Sequence, residues 1–319
     1  MGFWERNRKS GGYLLQKKTK EIAVRIIRAI LLFGMCFLIL QPILTKISVS
    51  FMEEQDLYNA MVINIPEHFT TANYKLCAKF MDYAKSLLNT SIVSLSIAVL
   101  QITVCTLVGY GFARFEFPLK KFWFACVIMV IIIPPQTIST SLHLHFRYFD
   151  IFGLFNALMG DSINLVDTNL SMYIPALMCN GIRAGLFIYL FRQFFRGLPK
   201  ELEDAAYLDG CGPFKTFISV MVPNAASSFL TVFIFSIVWY WNDYYVSSMY
   251  FTKANTISLK IDGIANIISM YLTGEVGVAS DYIVWMEAAC LLAITPIVIM
   301  YIFLQKYFTE GIARAGLAN

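Results

Sequence analysis

Charge is scarce in this sequence. Lysine, arginine, aspartate and glutamate make up 14% of its 319 residues, against roughly 25% in an ordinary globular domain. Hydrophobic residues reach 58%, and the mean hydropathy is +0.62. A soluble chain this poor in charge could not cover its own surface. That argues against a soluble enzyme, a disordered protein and a nucleic-acid binder. A net charge of +4 and a pI near 8.6 leave no footprint for DNA or RNA. The composition is that of a membrane protein.

Chemistry-bearing residues are also thin. The seven cysteines (36, 77, 105, 126, 179, 211 and 290) include no C-x-x-C and no metal-ligand spacing. Most sit in apolar stretches, where cysteine behaves as a small buried hydrophobe. There are three histidines, and His143 and His145 share one segment with no acid within helical reach. No G-x-x-x-x-G-K-[ST] phosphate cradle exists. These absences predict no catalytic residue, no metal site and no cofactor bound by this chain.

What is abundant is uninterrupted apolar sequence. Stretches free of Asp, Glu, Lys and Arg run over 29–45, 86–113, 122–146, 216–242 and 288–305, and a sixth, 168–191, is broken only by Arg183. A helix crossing ~30 Å of hydrocarbon needs ~20 residues, which each stretch supplies with its flanks. The pattern predicts an all-α membrane protein of six transmembrane helices, with both termini on one side. That side carries 17 of the 25 lysines and arginines, so the positive-inside rule makes the termini cytoplasmic. A secretory signal is the rival reading of the first span, because Ser48-Val49-Ser50 resembles a cleavage site. Its apolar run exceeds the usual ~7–15 residues, which favours a retained helix. The predicted organisation is a basic segment at 1–28, a first span at 29–50, a five-helix core at 75–308 and a tail at 309–319.

Residues 192–223, RQFFRGLPKELEDAAYLDGCGPFKTFISVMVP, form a structured loop on the predicted cytoplasmic side. Pro199 suits the first turn of a helix, and Glu201, Glu203 and Asp204 place negative charge at its positive end. Gly210 is a natural stop, and Pro213 restarts a second helix that leads into the next span. Leu202, Ala205, Ala206 and Leu208 give the short helix an apolar stripe. Helices this short barely form alone in water, so something must hold it, either its own bundle or the groove of a partner.

The loop resembles the signature of ATP-binding-cassette (ABC) importer permeases, E-A-A-x3-G-x9-I-x-L-P. Here Asp204-Ala205-Ala206 is followed after three residues by Gly210, and after nine more by Val220-Met221-Val222-Pro223. Asp replaces Glu, and Val replaces both Ile and Leu. Asn89-Thr90, GYGFARFEFPLKK (109–121), FRQFFRGLPKELEDAAYLDG (191–210), Trp241-Asn242 and QKYFTEGIARAG (305–316) are similar to the carbohydrate branch of that family, and the likeness covers about residues 75–316. The resemblance implies a type I ABC importer permease fold and the second permease of a maltose-type sugar transporter in a bacterial cell membrane. It also implies a homologous permease as partner, two ATPase subunits that use ATP and Mg²⁺, and an extracellular sugar-binding protein. Glu203, Asp204, Ala205, Ala206 and Gly210 are then the expected residues of coupling to the ATPase, with the tail at 306–316 a second candidate.

For the substrate pathway the candidates are Arg183, Asn242 and Asp243. A charge centred in a span should face protein or water and have a partner. For Arg183 that partner could be Asp243, Glu287, sugar hydroxyls or carbonyls of the other permease. Most of WYWNDYY (239–245) reads as an interfacial aromatic belt. Pro134-Pro135 should break the third span, while His143 and His145 read as interfacial. Lys17, Lys18 and Lys20 read as positive-inside residues or contacts to membrane lipid. Three other readings compete: a permease for a non-sugar solute, a secondary carrier that needs no ATPase, and a membrane enzyme. The chain offers little to the last two, since Arg183 is its one ionisable group well inside a span and no acid–base–nucleophile set converges.

Overall fold

The computed structural model describes residues 11–63, 65–134, 137–253, 255–276 and 282–317, the last eleven as backbone only. Among these the secondary structure is helical, apart from two isolated antiparallel bridges, Met52 to Phe69 and Phe149 to Ile163. Three helices are long and apolar enough to cross a membrane unaided: α1 (Tyr13–Ser50), α4 (Tyr83–Arg114) and α16 (Tyr282–Leu317). A bent pair ending in α12 (Ala226–Trp241) adds a fourth if counted as one span.

Two of the expected spans are therefore broken, and a third is bent. In the stretch 122–146, α5 (Lys120–Ile132) stops with Ile133 in an extended conformation and α6 (Ser139–Arg147) starts afresh. A residue preceding proline is pushed out of the helical region, and Pro134 follows Ile133. Pro135 lies outside the described residues. In the stretch 168–191, α8 (Leu170–Leu177) and α9 (Ala184–Gly197) are separated by a turn in which Cys179 and Arg183 have φ of +55° and +60°. The segment 213–224 meets α12 at 76°. It contains α11 (Pro213–Thr216), a π-helical turn at Phe217–Met221, and Pro223, and both features bend helices.

The central element is α4. Ser86, Thr90, Ser94, Gln101, Cys105 and Gly109 form a buried stripe of small or polar residues along it. Thr90 and Ser94 donate back to the carbonyls of Ser86 and Thr90 at 2.7 and 2.6 Å, so their hydroxyls are satisfied without widening the helix. At Gly109 the backbone of α9 comes so near that an added Cβ would lie 2.6 Å from Phe191 Cβ. Small residues permit such approach where apolar surface supplies little driving force between helices. On the predicted outer side, α3 (Ala72–Phe80) and α15 (Ile264–Thr273) close over α16, burying Cys77, Trp285 and Ile268. The first helix, α1, leaves most of its apolar side chains exposed and is tied to α16 by Lys46 and Glu287, 2.7 Å apart.

Candidate functional site

Two places concentrate polar groups in the bundle. The first is the short helix of the structured loop, α10 (Glu201–Leu208). It starts just after Pro199, with Glu203 and Asp204 N–H groups donating to Lys200 O. It ends as the sequence predicts. Gly210 has φ +78°, its N–H donates to Tyr207 O at 3.0 Å, and the Cys211 N–H donates to Ala206 O at 2.9 Å. That pair of bonds is the Schellman arrangement, which requires a left-handed residue where Gly210 stands.

The loop helix is held by its own bundle through Glu203. Tyr110, near the end of α4, donates to Glu203 Oε1 at 2.6 Å, and Arg114 Nε lies 3.1 Å from Glu203 Oε2. Arg114 also donates from Nη2 to Leu198 O at 2.8 Å. All three side chains are buried, and the Tyr110 ring sits among Phe115, Phe195 and Phe217. The five residues expected to couple are thus divided. Glu203 and Ala206 face inward, while Asp204, Ala205 and Gly210 are exposed. Leu208, at 89% exposure, stands beside them as the most protruding apolar side chain of the helix. Sequence reasoning missed Tyr110 and Arg114 as anchors, because they lie about 90 residues from Glu203.

The second place is the break between α8 and α9. Backbone groups freed by a broken helix in a membrane must find partners inside the protein. Here Gln101 of α4 donates to Ile182 O at 3.0 Å, and the Ile182 N–H donates to the Tyr240 hydroxyl at 2.7 Å. Ser236 of α12 donates to Gln101 Oε1 at 2.7 Å. Gly181 is required at this point, since a Cβ there would meet Gln101 Nε2 at 2.5 Å and the Tyr240 hydroxyl at 2.6 Å.

Beside this knot lies a cavity of about 500 Å³. Its apolar wall includes Val130, Ile131, Leu142 and Met172, and its polar wall includes Asn180, Arg183, Tyr240 and Asp243. The Arg183 guanidinium lies over the Trp239 ring, 5.5 Å from its centre. Neither expected acidic partner reaches it. Asp243 accepts from the N–H groups of Val246 and Ser247 and from the Ser247 hydroxyl, capping α13 (Tyr245–Tyr250), while Glu287 pairs with Lys46. Asn242 is exposed, does not line the cavity, and donates back to Val238 O at 2.8 Å.

The aromatic-belt reading of residues 239–245 does not survive for its central members. Tyr240 and Trp241 are buried, Trp241 donating to Ala293 O at 3.0 Å, and Trp239 and Tyr245 line the cavity. His143 contacts Met249 O through Nδ1 at 2.6 Å. Away from both places, Asp56, Glu67 and His68 bring potential ligand atoms within 4.8 Å of one another. His68 engages both Asp56 oxygens there and the Glu67 carboxylate accepts from Asn59, so Asp56 and His68 form a clasp on the loop after α1. The seven cysteines are free thiols. Side chains of the tail beyond Lys306 lie outside the described residues.

Residues 105–314 match the family model described as binding-protein-dependent transport system inner membrane component. The chain is 28% identical to an arabinooligosaccharide transport permease, AraQ, of Halalkalibacterium halodurans over 70% of this chain and 71% of that protein. It is 28% identical to the melibiose/raffinose/stachyose import permease MelC of Bacillus subtilis, over 79% and 82%. A glycerol-3-phosphate permease, UgpE, of Pectobacterium atrosepticum is 24% identical over 86% and 90%. The fold is similar to a chain in the crystal structure of a bacterial ABC transporter that imports the acidic polysaccharide alginate. The TM-score is 0.64, with 18% identity and coverage of 91% of this chain and 98% of that one.

Proposed function

The chain belongs to the family of binding-protein-dependent transport inner membrane components, and from that membership and the two sites above we propose that it forms half of a saccharide pathway and couples it to an ATPase through α10. It is a multi-pass membrane transport subunit. The cargo we infer is a sugar or oligosaccharide, a reading supported by the permeases AraQ and MelC, whose names give oligosaccharide cargoes. The partners are a homologous permease, two ATPase subunits that bind ATP and Mg²⁺, and an extracellular binding protein. Both termini face the cytoplasm, in keeping with the lysine and arginine distribution.

The observation that carries the coupling role is that α10 has one buried side and one exposed side. Its inner side is fixed to α4 by a buried charge pair, and its outer side offers Asp204, Ala205 and Leu208. A partner that docks on the outer side and moves also moves α4, because Glu203 joins the two. Residues 83–114 run as one unbroken helix, so the movement reaches Gln101, which holds the backbone break at the cavity. Closing of the ATPases on ATP thereby alters the cavity wall without a separate transmitter.

The test is affinity purification of the tagged chain from native membranes, with the co-purifying proteins identified. A second permease and an ATPase are expected. Recovery of the chain alone, active in vesicles without ATP, contradicts the proposal and makes it a carrier.

A further inference from the structure

We propose that the cavity beside Arg183 receives an anionic group of the cargo, a carboxylate or phosphate carried on a saccharide, and that Arg183 binds it. The inference rests on the reading of the chain as an importer permease and narrows its substrate class.

Arg183 is an exposed cation in the middle of an apolar stretch, and at that place in a membrane-spanning chain the charge is costly unless water or a partner offsets it. Among the described residues no carboxylate pairs with it. Both oxygens of Asp243, which lines the same cavity, are committed to capping α13. Glu287 is held by Lys46. The guanidinium lies over the face of Trp239, which supports a cation yet leaves its hydrogen-bond donors free.

Apart from Asp243, no described residue lining the cavity is acidic, and a second positive source points the same way. Arg183 sits immediately before α9, whose first turn contains no acidic residue. The positive end of that helix dipole therefore reinforces the guanidinium. Gly185 and Leu186 of that turn also line the cavity. A guanidinium presents a planar fork of donors that fits carboxylate or phosphate two bonds at a time. A neutral sugar uses acceptors as well as donors and has no need of an unpaired charge. At about 500 Å³ the cavity lies within the range of small-molecule sites, ~300–1,000 Å³.

The experiment uses the complete importer, purified with its permease partner, ATPases and binding protein, in ATP-loaded proteoliposomes. Uptake is measured for three probes: a uronate disaccharide, a sugar phosphate and a neutral disaccharide. Wild type is expected to import one of the two anionic probes, and which one identifies the anion. Arg183→Gln should lower that uptake about tenfold or more, the loss expected of a hydrogen bond to a charged group, with Arg183→Lys retaining part of it. The second permease should still co-purify with Arg183→Gln. Import of the neutral probe alone overturns the inference while the importer reading stands, as does unchanged anion uptake in Arg183→Gln. Loss of the second permease in that variant also overturns it, since Arg183 would then serve the subunit contact. Failure of wild type to import any probe with ATP removes the saccharide reading and this inference together.

Discussion

Tyr110 and Glu203, 93 residues apart in sequence, are joined by a 2.6 Å hydrogen bond that fixes the loop helix α10 to the end of α4. Arg114 completes the pairing at 3.1 Å. Removing one member of a buried ion pair strands the other charge, at a cost of about 3–5 kcal/mol. Arg114→Met should therefore lower thermal stability in detergent markedly, and the double variant Arg114→Met/Glu203→Leu should recover much of the loss. Additive losses in that double-mutant cycle would contradict a direct pairing.

Gly109 and Gly111 lie on one helix and differ in what faces them. An added methyl at Gly109 meets Phe191 Cβ at 2.6 Å and backbone atoms of α9 at 3.1 Å, whereas nothing lies within 4 Å at Gly111. Gly109→Ala is expected to destabilise the chain by about 1–3 kcal/mol through overpacking. Gly111→Ala should be tolerated. Equal melting temperatures for the two variants would show that α4 and α9 are not in close contact.

The turn after α10 depends on the left-handed conformation of Gly210. Alanine there finds free space but strains the backbone by about 1–2 kcal/mol. Proline removes the N–H that donates to Tyr207 O and fixes φ near −65°. Gly210→Pro should insert into the membrane normally and lose ATPase association, with Gly210→Ala intermediate. ATP hydrolysis that is stimulated by the binding protein as in wild type, measured in the Gly210→Pro complex, would count against a coupling role.

The clasp at Asp56 and His68 gives the loop after α1 a pH dependence. The hydrogen bond to Asp56 raises the His68 pKa above 6.5, with Glu67 and Glu53 adding to it. Burial acts to raise the Asp56 carboxyl, yet the hydrogen bonds and charge of His68 outweigh it and leave it below 3.8. The histidine contribution is thus complete below about pH 6.5 and is lost as pH rises through the raised value. The Asp56 contribution holds above its unfolded value and is lost as pH falls through the lowered one. Amide exchange across residues 51–70 should quicken on going from pH 6 to pH 8.5 beyond the intrinsic increase, and His68→Gln should abolish that excess. The same excess in His68→Gln would assign it to another group.

The membrane class, the short loop helix and its stop at Gly210 were legible in the sequence because each rests on local chemistry: apolar runs, a capping glycine, acids at a helix start. The anchors of that helix were not. A pairing such as Glu203 with Arg114 joins two segments far apart in sequence, and nothing near either residue announces it. The same holds for the break at Cys179–Arg183. Its freed backbone is satisfied by Gln101 and Tyr240 from two other helices, so an apolar stretch reads as one span although it is two helices. The aromatic run 239–245 misled for a related reason. Trp and Tyr favour interfaces on average, but Tyr240 and Trp241 take buried tertiary partners that composition does not reveal. Arg183 was visible as an anomaly, and only the structure showed Asp243 and Glu287 committed elsewhere.

The central claim is that the outer side of α10 docks on the ATPase. A photo-crosslinking amino acid placed at Leu208, 89% exposed, tests it most directly, with Met61, equally exposed in the loop after α1, as the control. Crosslinking at Leu208 is expected to capture the ATPase in a yield that changes when ATP is added, with no capture at Met61. No ATPase adduct at Leu208, or the same adduct at both positions, would contradict the account.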